Sequence, residues 1–175
     1  MDTNRPYVRL IITDVDGTLT DGRVAYYEDG STSRTFDTMD GHGFWVAKQA
    51  GVNIVMVSRS NSPEILARAN HLGVGCYMGV TDKLYVVKTI SEFHGIDLSD
   101  ICYLGNDVFD MDALAAVGYP GCPHDAHPLV KHYVSEQSYG FISSEKGGYG
   151  AFRNLVDHLM LHSWRGIRWG YPVPE

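Results

Sequence analysis

Two aspartates near the start of the chain are spaced for chemistry at a single point. Asp14 and Asp16 stand two positions apart, directly after the apolar run of residues 8–12, and Gly17 and Thr18 follow them. Side chains alternate between the two faces of a strand, so both carboxylates are expected to project toward the same side. Two close carboxylates resist joint ionisation unless a cation lies between them, and Mg²⁺ prefers such oxygen ligands. The pair therefore predicts a magnesium site at the end of the first strand.

Polar side chains also follow the later predicted strands. They are Ser58, Lys83, Asn106, Asp107 and Asp110. With the first pair, they supply what phosphoryl transfer through a covalent aspartyl-phosphate requires. Asp14 is expected to attack phosphorus, and Asp16 to protonate the leaving alkoxide and later to take a proton from water. Ser58 is expected to donate a hydrogen bond to one phosphoryl oxygen, and Lys83 to neutralise another.

Each of these residues also has a purely structural interpretation when it is taken alone. Asp14 and Asp16 could cap backbone amides in an Asx-type turn, and Ser58 could be a loop or capping residue. A lone Lys83 is typical of a solvated surface, and Asp107 is typical of a helix start. Their position after successive strands favours a shared site, because open α/β sheets bind ligands at the carboxyl ends of their strands.

Alternating strand and helix signals predict the elements that must position these side chains. Strands are predicted over residues 8–12, 52–57, 74–78, 101–104 and 119–122. Helices are predicted to begin near Phe44, Ser62, Lys83, Met111 and Ala151. This alternation is typical of an α/β fold with a doubly wound parallel sheet. Turn signals within residues 20–36 predict a β-hairpin inserted between the first strand and the first helix.

Two further expectations concern regions away from the predicted site. The apolar spacing after Lys83 predicts that Leu84, Val87, Ile90 and Phe93 are buried along one helix face. The segment from residue 123 to residue 134 has no clear periodicity and is expected to be less regular.

Composition and charge restrict the class of protein. The 175 residues suffice for one domain with a sizeable core. A formal net charge of −7 argues against a nucleic-acid or anionic-membrane partner. No run approaches the ~20 apolar residues that span a bilayer, and residues 1–6 lack the features of a signal peptide. Cys76, Cys102 and Cys122 are widely spaced and are expected to be reduced thiols, so a cytoplasmic location is expected.

Five stretches of the sequence resemble the haloacid dehalogenase-like (HAD) phosphohydrolases. They read DVDGTLTDG at residues 14–22, DGHG at 40–43, GND at 105–107, DAHP at 125–128 and GGYGAFR at 147–153. The first is similar to the nucleophile motif of the whole superfamily, DxDGT, whereas the last is more particular to one subgroup. That subgroup contains 3-deoxy-D-manno-octulosonate 8-phosphate phosphatase, 2-keto-3-deoxynononate 9-phosphate phosphatase and the C-terminal domain of some acylneuraminate cytidylyltransferases.

The resemblance implies a fold, an activity and an assembly. It implies a HAD-like Rossmannoid domain over residues 1–162 with a hairpin insert at 20–36, no separate cap domain, and a C-terminal tail at 163–175. It implies a Mg²⁺-dependent phosphomonoester hydrolase acting on a phosphorylated 2-keto-3-deoxy sugar acid of the octulosonate or nononate type. Family members form homotetramers in which packed hairpins and neighbouring subunits close each site.

The resemblance also implies roles for individual residues. The expected metal ligands are Asp14, Asp16, Asn106 and Asp107, and the expected substrate-binding residues are Thr18, Arg59, Ser60 and Arg68. In the tail, Arg165 or Arg168 is expected to reach the substrate carboxylate in an adjacent subunit, with a disordered or surface-packed tail as the alternative.

Two positions depart from the family pattern and leave alternatives open. After the second strand the octulosonate phosphatases have Ser or Thr, then Gly, then Arg, whereas this chain has Ser58, Arg59 and Ser60. The displaced arginine leaves the choice of sugar acid, or of another small phosphate ester, open. The fourth motif has Asn106 where an aspartate is usual, so this metal ligand carries no charge unless Asp107 replaces it. This variant resembles the cytidylyltransferase-associated domains, so a catalytically weak oligomerisation or partner domain of a nucleotide-sugar system is the alternative function.

Overall fold

The structure is a computed structural model, and it describes residues 7–164. Its strands are β1 (Leu10–Thr13), β2 (Ala25–Tyr26), β3 (Thr32–Ser33), β4 (Asn53–Val57), β5 (Gly75–Tyr77), β6 (Ile101–Leu104), β7 (Tyr119–Cys122) and β8 (Phe141–Ile142). Its α-helices are α1 (Thr38–Gln49), α2 (Pro63–Leu72), α3 (Lys83–His94), α4 (Met111–Ala116), α5 (Pro128–Ser135) and α6 (Ala151–His162). Two 3₁₀ turns, Leu98–Asp100 and Val108–Asp110, precede β6 and α4.

Six of the strands form one parallel sheet in the order β5-β4-β1-β6-β7-β8, and β2 and β3 form a separate antiparallel hairpin. Every residue of β1 and β6 is buried, as expected for central parallel strands covered by helices on both faces. The predicted α/β class and doubly wound sheet are confirmed, and the hairpin lies within the predicted insert. Within the described residues, no element forms a separate cap domain.

The strand order decides where a ligand can bind. From β1 the chain builds β4 and β5 on one side and then returns to place β6 on the other side of β1. Open α/β sheets bind ligands at such a reversal, outside the carboxyl ends of the strands. The residues that follow β1 and β6 therefore share one crevice, and they include Asp14 and Asn106.

Helix α1 begins six residues before the predicted start at Phe44. The Asp37 side chain accepts hydrogen bonds at its N-terminus, and the glycines that suggested a loop lie inside the helix. A Cβ at Gly43 would lie 3.1 Å from the Cα of Arg153, so this glycine permits the close packing of α1 on α6. Such a tertiary requirement has no signature in local propensity.

Two other expectations were wrong. Val87 and Ile90 are buried on α3 as predicted, but Phe93 is 80% exposed and lines a surface pocket with residues of β4 and β5. The segment expected to be less regular contains α5, whose N-terminus is capped by His127, with its Nδ1 accepting a hydrogen bond from the Leu129 N–H.

The core continues beyond the C-terminal end of α6. Trp164 is buried, and its Nε1 donates a hydrogen bond of 2.8 Å to the carbonyl oxygen of Val8. The first residues assigned to the tail thus pack against the start of the sheet, whereas Arg165 and Arg168 lie outside the described residues. In residues 7–164, no helix is long and apolar enough to cross a membrane.

Candidate active site

The site is built on the carboxyl end of β1. The backbone N–H of Asp14 donates a 2.8 Å hydrogen bond to the carbonyl oxygen of Leu104, which fixes Asp14 beside the end of β6. Gly17 has a φ of +84° and turns the chain away from the sheet. A Cβ at this position would also lie 2.1 Å from Nδ2 of Asn106. A glycine is therefore required both for the turn and for the approach of Asn106.

A buried ammonium group holds the Asp14 carboxylate. Lys83, the first residue of α3, places its Nζ 2.6 Å from Oδ1 of Asp14 and 2.5 Å from Oδ1 of Asp110. Burial alone would lower the pKa of Lys83, but the two carboxylates outweigh it and raise that pKa, so the ammonium remains charged. Burial, followed by repulsion from Asp110, raises the pKa of Asp14 to about 7, although Lys83 acts against this shift.

Asp110 contacts both Lys83 and the loop that follows β6. Its Oδ1 accepts a 2.7 Å hydrogen bond from the Tyr103 hydroxyl, and its Oδ2 accepts from the backbone N–H groups of Asn106 and Asp107 at 3.0 and 3.1 Å. The sequence places Asp110 in an acidic cluster but assigns it no function. Its buried position beneath Lys83 makes it a group that positions the loop and the lysine.

Asn106 is placed where the sequence predicts a metal ligand. One end of its side-chain amide lies 3.1 Å from Oδ2 of Asp14, 3.2 Å from the backbone carbonyl oxygen of Asp16 and 3.3 Å from Oγ1 of Thr18. With the amide nitrogen at this end, Asn106 donates hydrogen bonds to these oxygens. With the amide oxygen there, three oxygens from Asp14, Asp16 and Asn106 converge, which is the environment that a hard divalent cation requires. The residues present therefore fit a divalent metal ion.

This candidate metal site contains few negatively charged groups. Within residues 7–164, no three His, Cys, Asp or Glu side chains cluster closely enough to hold a metal ion, so a site here depends on amide and main-chain oxygens. Of its three converging oxygens, only that of Asp14 belongs to a carboxylate. Asp107 accepts a hydrogen bond from the Phe109 N–H and caps the 3₁₀ turn, so its carboxylate is committed to the backbone.

The Asp16 side chain does not share a cation with that of Asp14, contrary to the prediction from the sequence. Its side chain turns to Arg34, whose Nε lies 2.7 Å from Oδ1, and only its backbone carbonyl faces Asn106. The two carboxylates therefore do not share one cation, because Asp14 pairs with Lys83 and Asp16 pairs with Arg34. Their separation follows from the end of β1 at Thr13, since the alternation of a strand does not continue into the turn.

Of the remaining predicted residues, Ser58 and Arg59 line an open cleft, and the others lie around it. The cleft has a volume of about 220 Å³ and is lined by Asp14, Asp16, Ser58, Arg59, Lys83, Asn106, Asp107, Phe109 and Asp110. Ser58 is buried at its wall and accepts a 3.0 Å hydrogen bond from the Ser60 N–H. The guanidinium of Arg59 stacks 3.8 Å from the ring centroid of Phe109 at the rim, a cation–π contact that the sequence did not predict.

Three predicted substrate-binding residues are directed elsewhere. Thr18 is buried, with its hydroxyl against Asn106, and Ser60 accepts a 3.1 Å hydrogen bond from Arg34. Arg68 donates to the carbonyl oxygen of Asp37 at 3.0 Å. It lines a second pocket of about 350 Å³ with Arg34, Phe36, Glu64, Ala67 and His71. Of the four predicted substrate-binding residues, only Arg59 lines the cleft.

Arg34 is the main site residue that sequence reasoning missed. It lies in the hairpin insert, outside every motif that marks the site, and no spacing in the sequence distinguishes it from a surface arginine. Only the folding of the insert over the start of α2 brings its guanidinium to Asp16.

Comparison with known proteins agrees with this architecture. A 3-deoxy-D-manno-octulosonate 8-phosphate phosphatase, KdsC, from Haemophilus influenzae is 30% identical over 154 residues, which cover 87% of this chain and 83% of the relative. A hypothetical protein from Xanthomonas campestris has a solved structure with 34% identity and a TM-score of 0.83, covering 88% of this chain and 82% of the other.

A third comparison involves a structure with bound ligands. The Moraxella catarrhalis 3-deoxy-D-manno-octulosonate 8-phosphate phosphatase, in complex with magnesium, phosphate and KDO, has 27% identity and a TM-score of 0.81. The match covers 88% of this chain and 86% of that one. A scan against protein-family models found no match.

The parallel sheet with its inserted hairpin is the fold of the HAD-like hydrolases. The sequence identity to KdsC, which extends over most of both chains, identifies the family within this class. The chain belongs to the 3-deoxy-D-manno-octulosonate 8-phosphate phosphatase family.

Proposed function

We propose that this protein is a Mg²⁺-dependent phosphomonoesterase whose substrate is a phosphorylated 2-keto-3-deoxy sugar acid, with 3-deoxy-D-manno-octulosonate 8-phosphate as the first candidate. The observation that carries the proposal is the buried Asp14 carboxylate. One of its oxygens is held by Lys83, and the other lies 3.1 Å from the end of the Asn106 amide that also contacts the carbonyl oxygen of Asp16. The relative from Moraxella catarrhalis, which binds magnesium, phosphate and KDO, supports both the cofactor and the substrate class.

The first half of the reaction transfers the phosphoryl group to the protein. The Asp14 carboxylate attacks phosphorus, and the bond from phosphorus to the sugar oxygen breaks with its electron pair on that oxygen. The protonated side chain of Asp16 donates its proton to this oxygen, so the sugar acid leaves as an alcohol. Asp14 then carries the phosphoryl group as an aspartyl-phosphate.

The second half regenerates the carboxylate. A water molecule attacks phosphorus while Asp16, now ionised, accepts its proton. The bond between phosphorus and the Asp14 oxygen breaks, and its electron pair returns to the carboxylate. The products are inorganic phosphate and a protein with its original protons.

The remaining side chains bind and neutralise the phosphoryl group. Asp14, the carbonyl of Asp16 and Asn106 would hold the metal ion, which supplies electrostatic stabilisation of the negative charge on the phosphoryl oxygens when it is bound. Lys83 adds a fixed positive charge, and the Ser58 hydroxyl lines the same cleft as a hydrogen-bond donor. Arg59, whose guanidinium lies at the rim, is the proposed partner of the substrate carboxylate.

Assembly completes the proposal. We propose a homotetramer in which the hairpins of residues 20–36 pack together and neighbouring subunits close the cleft. The exposure of Tyr26 and Tyr27 on the hairpin supports a contact surface there. The proposed domain comprises residues 1–162 and the packed Trp164, and the proposed contribution of Arg165 or Arg168 to an adjacent site falls outside the described residues.

Phosphate release tests the activity. We expect the wild type to release phosphate from the octulosonate or nononate ester with Mg²⁺ and not with EDTA. Asp14→Asn removes the nucleophile and should lower kcat by at least about a thousandfold. Asp112→Asn, which changes an exposed aspartate on α4, is the matched control and should retain wild-type turnover.

A second candidate function follows from the uncharged Asn106, which favours a catalytically weak oligomerisation or partner domain of a nucleotide-sugar system. Absence of phosphate release from every sugar phosphate at every Mg²⁺ concentration would replace the enzymatic proposal with this one. Rapid release from an unrelated small ester only would retain the chemistry and reject the sugar acid.

A further inference from the structure

We propose that Arg34, on the hairpin insert, is the positioning residue for Asp16 and thereby controls the proton transfer to the leaving group. This inference rests on the proposed phosphatase function, in which Asp16 is the general acid and base. Nothing in the spacing of the sequence motifs points to Arg34, whereas its contacts do.

The guanidinium of Arg34 is almost fully enclosed, with only 6% of the side chain exposed. Its Nε donates a 2.7 Å hydrogen bond to Oδ1 of Asp16. Its Nη2 donates to Oγ of Ser60 at 3.1 Å, and its Nη1 donates to Oγ of Ser62 and lies 3.5 Å from Oε1 of Glu64. All three nitrogens are therefore engaged.

These contacts fix the position of Arg34, which in turn restrains the more exposed side chain of Asp16. Asp16 lies in the turn after β1, and 31% of its side chain is exposed toward the cleft. Within residues 7–164, Arg34 is the cationic side chain paired with it. Holding the carboxylate in one rotamer keeps its second oxygen available to the leaving group, and misplacing a catalytic group by about 1 Å can cost about a hundredfold in rate.

The planar fork of arginine suits this task better than the ammonium of lysine. Three separate donor nitrogens reach four side chains at the same time, one in the turn after β1 and three between the end of β4 and the first turn of α2, and their directions are fixed by the plane of the guanidinium. The start of α2 thus supports Arg34, and Arg34 supports Asp16.

The same network connects the hairpin to the site. Thr32 in β3 donates a 2.6 Å hydrogen bond from its hydroxyl to Oε1 of Glu64, the oxygen that also faces Arg34. The position of the hairpin on α2 therefore determines where the guanidinium lies.

The test compares two aryl esters that differ in their need for a proton. Phenyl phosphate has a poor leaving group that requires general acid catalysis, whereas 4-nitrophenyl phosphate has a good one, and neither carries a carboxylate that Arg34 could bind. For Arg34→Met, we expect kcat/KM for phenyl phosphate to fall about tenfold or more and kcat/KM for 4-nitrophenyl phosphate to fall less than about threefold. Arg23→Met, which changes an arginine of the same insert with an 89% exposed side chain, should leave both values unchanged.

A double-mutant cycle shows whether Arg34 acts through Asp16. In an Asp16→Asn background, Arg34→Met should produce no further loss on phenyl phosphate, because the group that it positions is already absent. Equal losses on both esters, or additive losses in the cycle, would overturn the inference in favour of a structural role. An effect confined to the sugar acid ester would overturn it in favour of carboxylate binding. Wild-type turnover of the aryl esters is measured separately, so failure of the phosphatase proposal is distinguishable from failure of this one.

Discussion

Asp14 and Asp16 lie two positions apart in the chain, yet they serve different parts of the site. Lys83 and Asp110 enclose the first, and Arg34 holds the second. The oxygens that they direct toward Asn106 are one carboxylate oxygen and one main-chain carbonyl oxygen, so the proposed metal ion would not be held by two carboxylates. At the scale of the residue, the direction of a side chain therefore matters as much as its type.

As a proposed metal ligand, the neutral Asn106 is expected to limit the affinity for the metal ion. Asn106→Asp replaces an amide with a carboxylate of nearly the same shape, so the attraction for a divalent cation increases. We expect the dissociation constant for Mg²⁺, measured by calorimetry without substrate, to fall about tenfold. Asp107→Asn is the matched control, because its carboxylate caps the 3₁₀ turn, and it should change the affinity by less than about threefold. The reverse pattern would identify Asp107 as the ligand.

At the scale of the element, the helices α1 and α6 depend on one buried carboxylate. Helix α6 has Gly150 at its N-cap and therefore has no capping side chain of its own. Asp40 of α1 replaces it, since its Oδ1 accepts a 2.9 Å hydrogen bond from the Arg153 N–H. Its Oδ2 is buried without a hydrogen-bond partner among the described residues. Burial raises the pKa of Asp40 to about 6, although the backbone N–H groups at α6 partly oppose the shift.

This shift predicts a dependence of stability on pH. The unfolded carboxyl loses its proton near its ordinary pKa of 3.8, whereas the folded one retains it up to about pH 6. The folded state then binds more protons between these values, so the free energy of unfolding falls as pH rises through them. Asp40→Asn does not titrate and keeps an acceptor for Arg153. The free energy of unfolding of the mutant minus that of the wild type should therefore increase between about pH 4 and about pH 7.5, by on the order of 1–3 kcal/mol.

Urea unfolding at the two pH values measures this difference. Asp112→Asn, at an exposed position, should show the same pH dependence as the wild type. Parallel curves for Asp40→Asn and the wild type would contradict the prediction.

At the scale of the whole molecule, the proposed tetramer accounts for both the open cleft and the exposed hairpin. The chain has no cap domain within its described residues, so exclusion of water from the cleft is assigned to neighbouring subunits in the proposed tetramer. Tyr26 is 80% exposed on the hairpin. Such a side chain is more readily explained by a partner surface than by the stability of the single chain.

Tyr26→Ser should weaken the assembly and, through it, the activity. We expect mass photometry to show a shift from the tetramer toward smaller species, with a lower kcat/KM at the same protein concentration, because burial of an aromatic side chain contributes strongly at interfaces. Tyr85→Ser removes a tyrosine of similar exposure, 68%, from α3 and should leave the mass distribution unchanged. A wild type that is monomeric at every concentration would reject the tetramer.

The amino-acid sequence by itself determined the sheet and the edge at which the site forms. Apolar runs of strand length alternate with helical patterns, and the carboxyl ends of parallel strands meet at one edge. Asp14, Ser58, Lys83 and Asn106 could therefore be placed together from local signals, and the structure brings them to one cleft.

Only the tertiary structure decided which atoms face each other. Arg34 reaches Asp16 and Ser62 across 18 and 28 residues of chain, and Asp110 reaches Lys83 across 27. Such pairings depend on how the insert and the loops pack, and no periodicity records them. For the same reason, Phe93 fits the apolar pattern of α3 and is nevertheless 80% exposed.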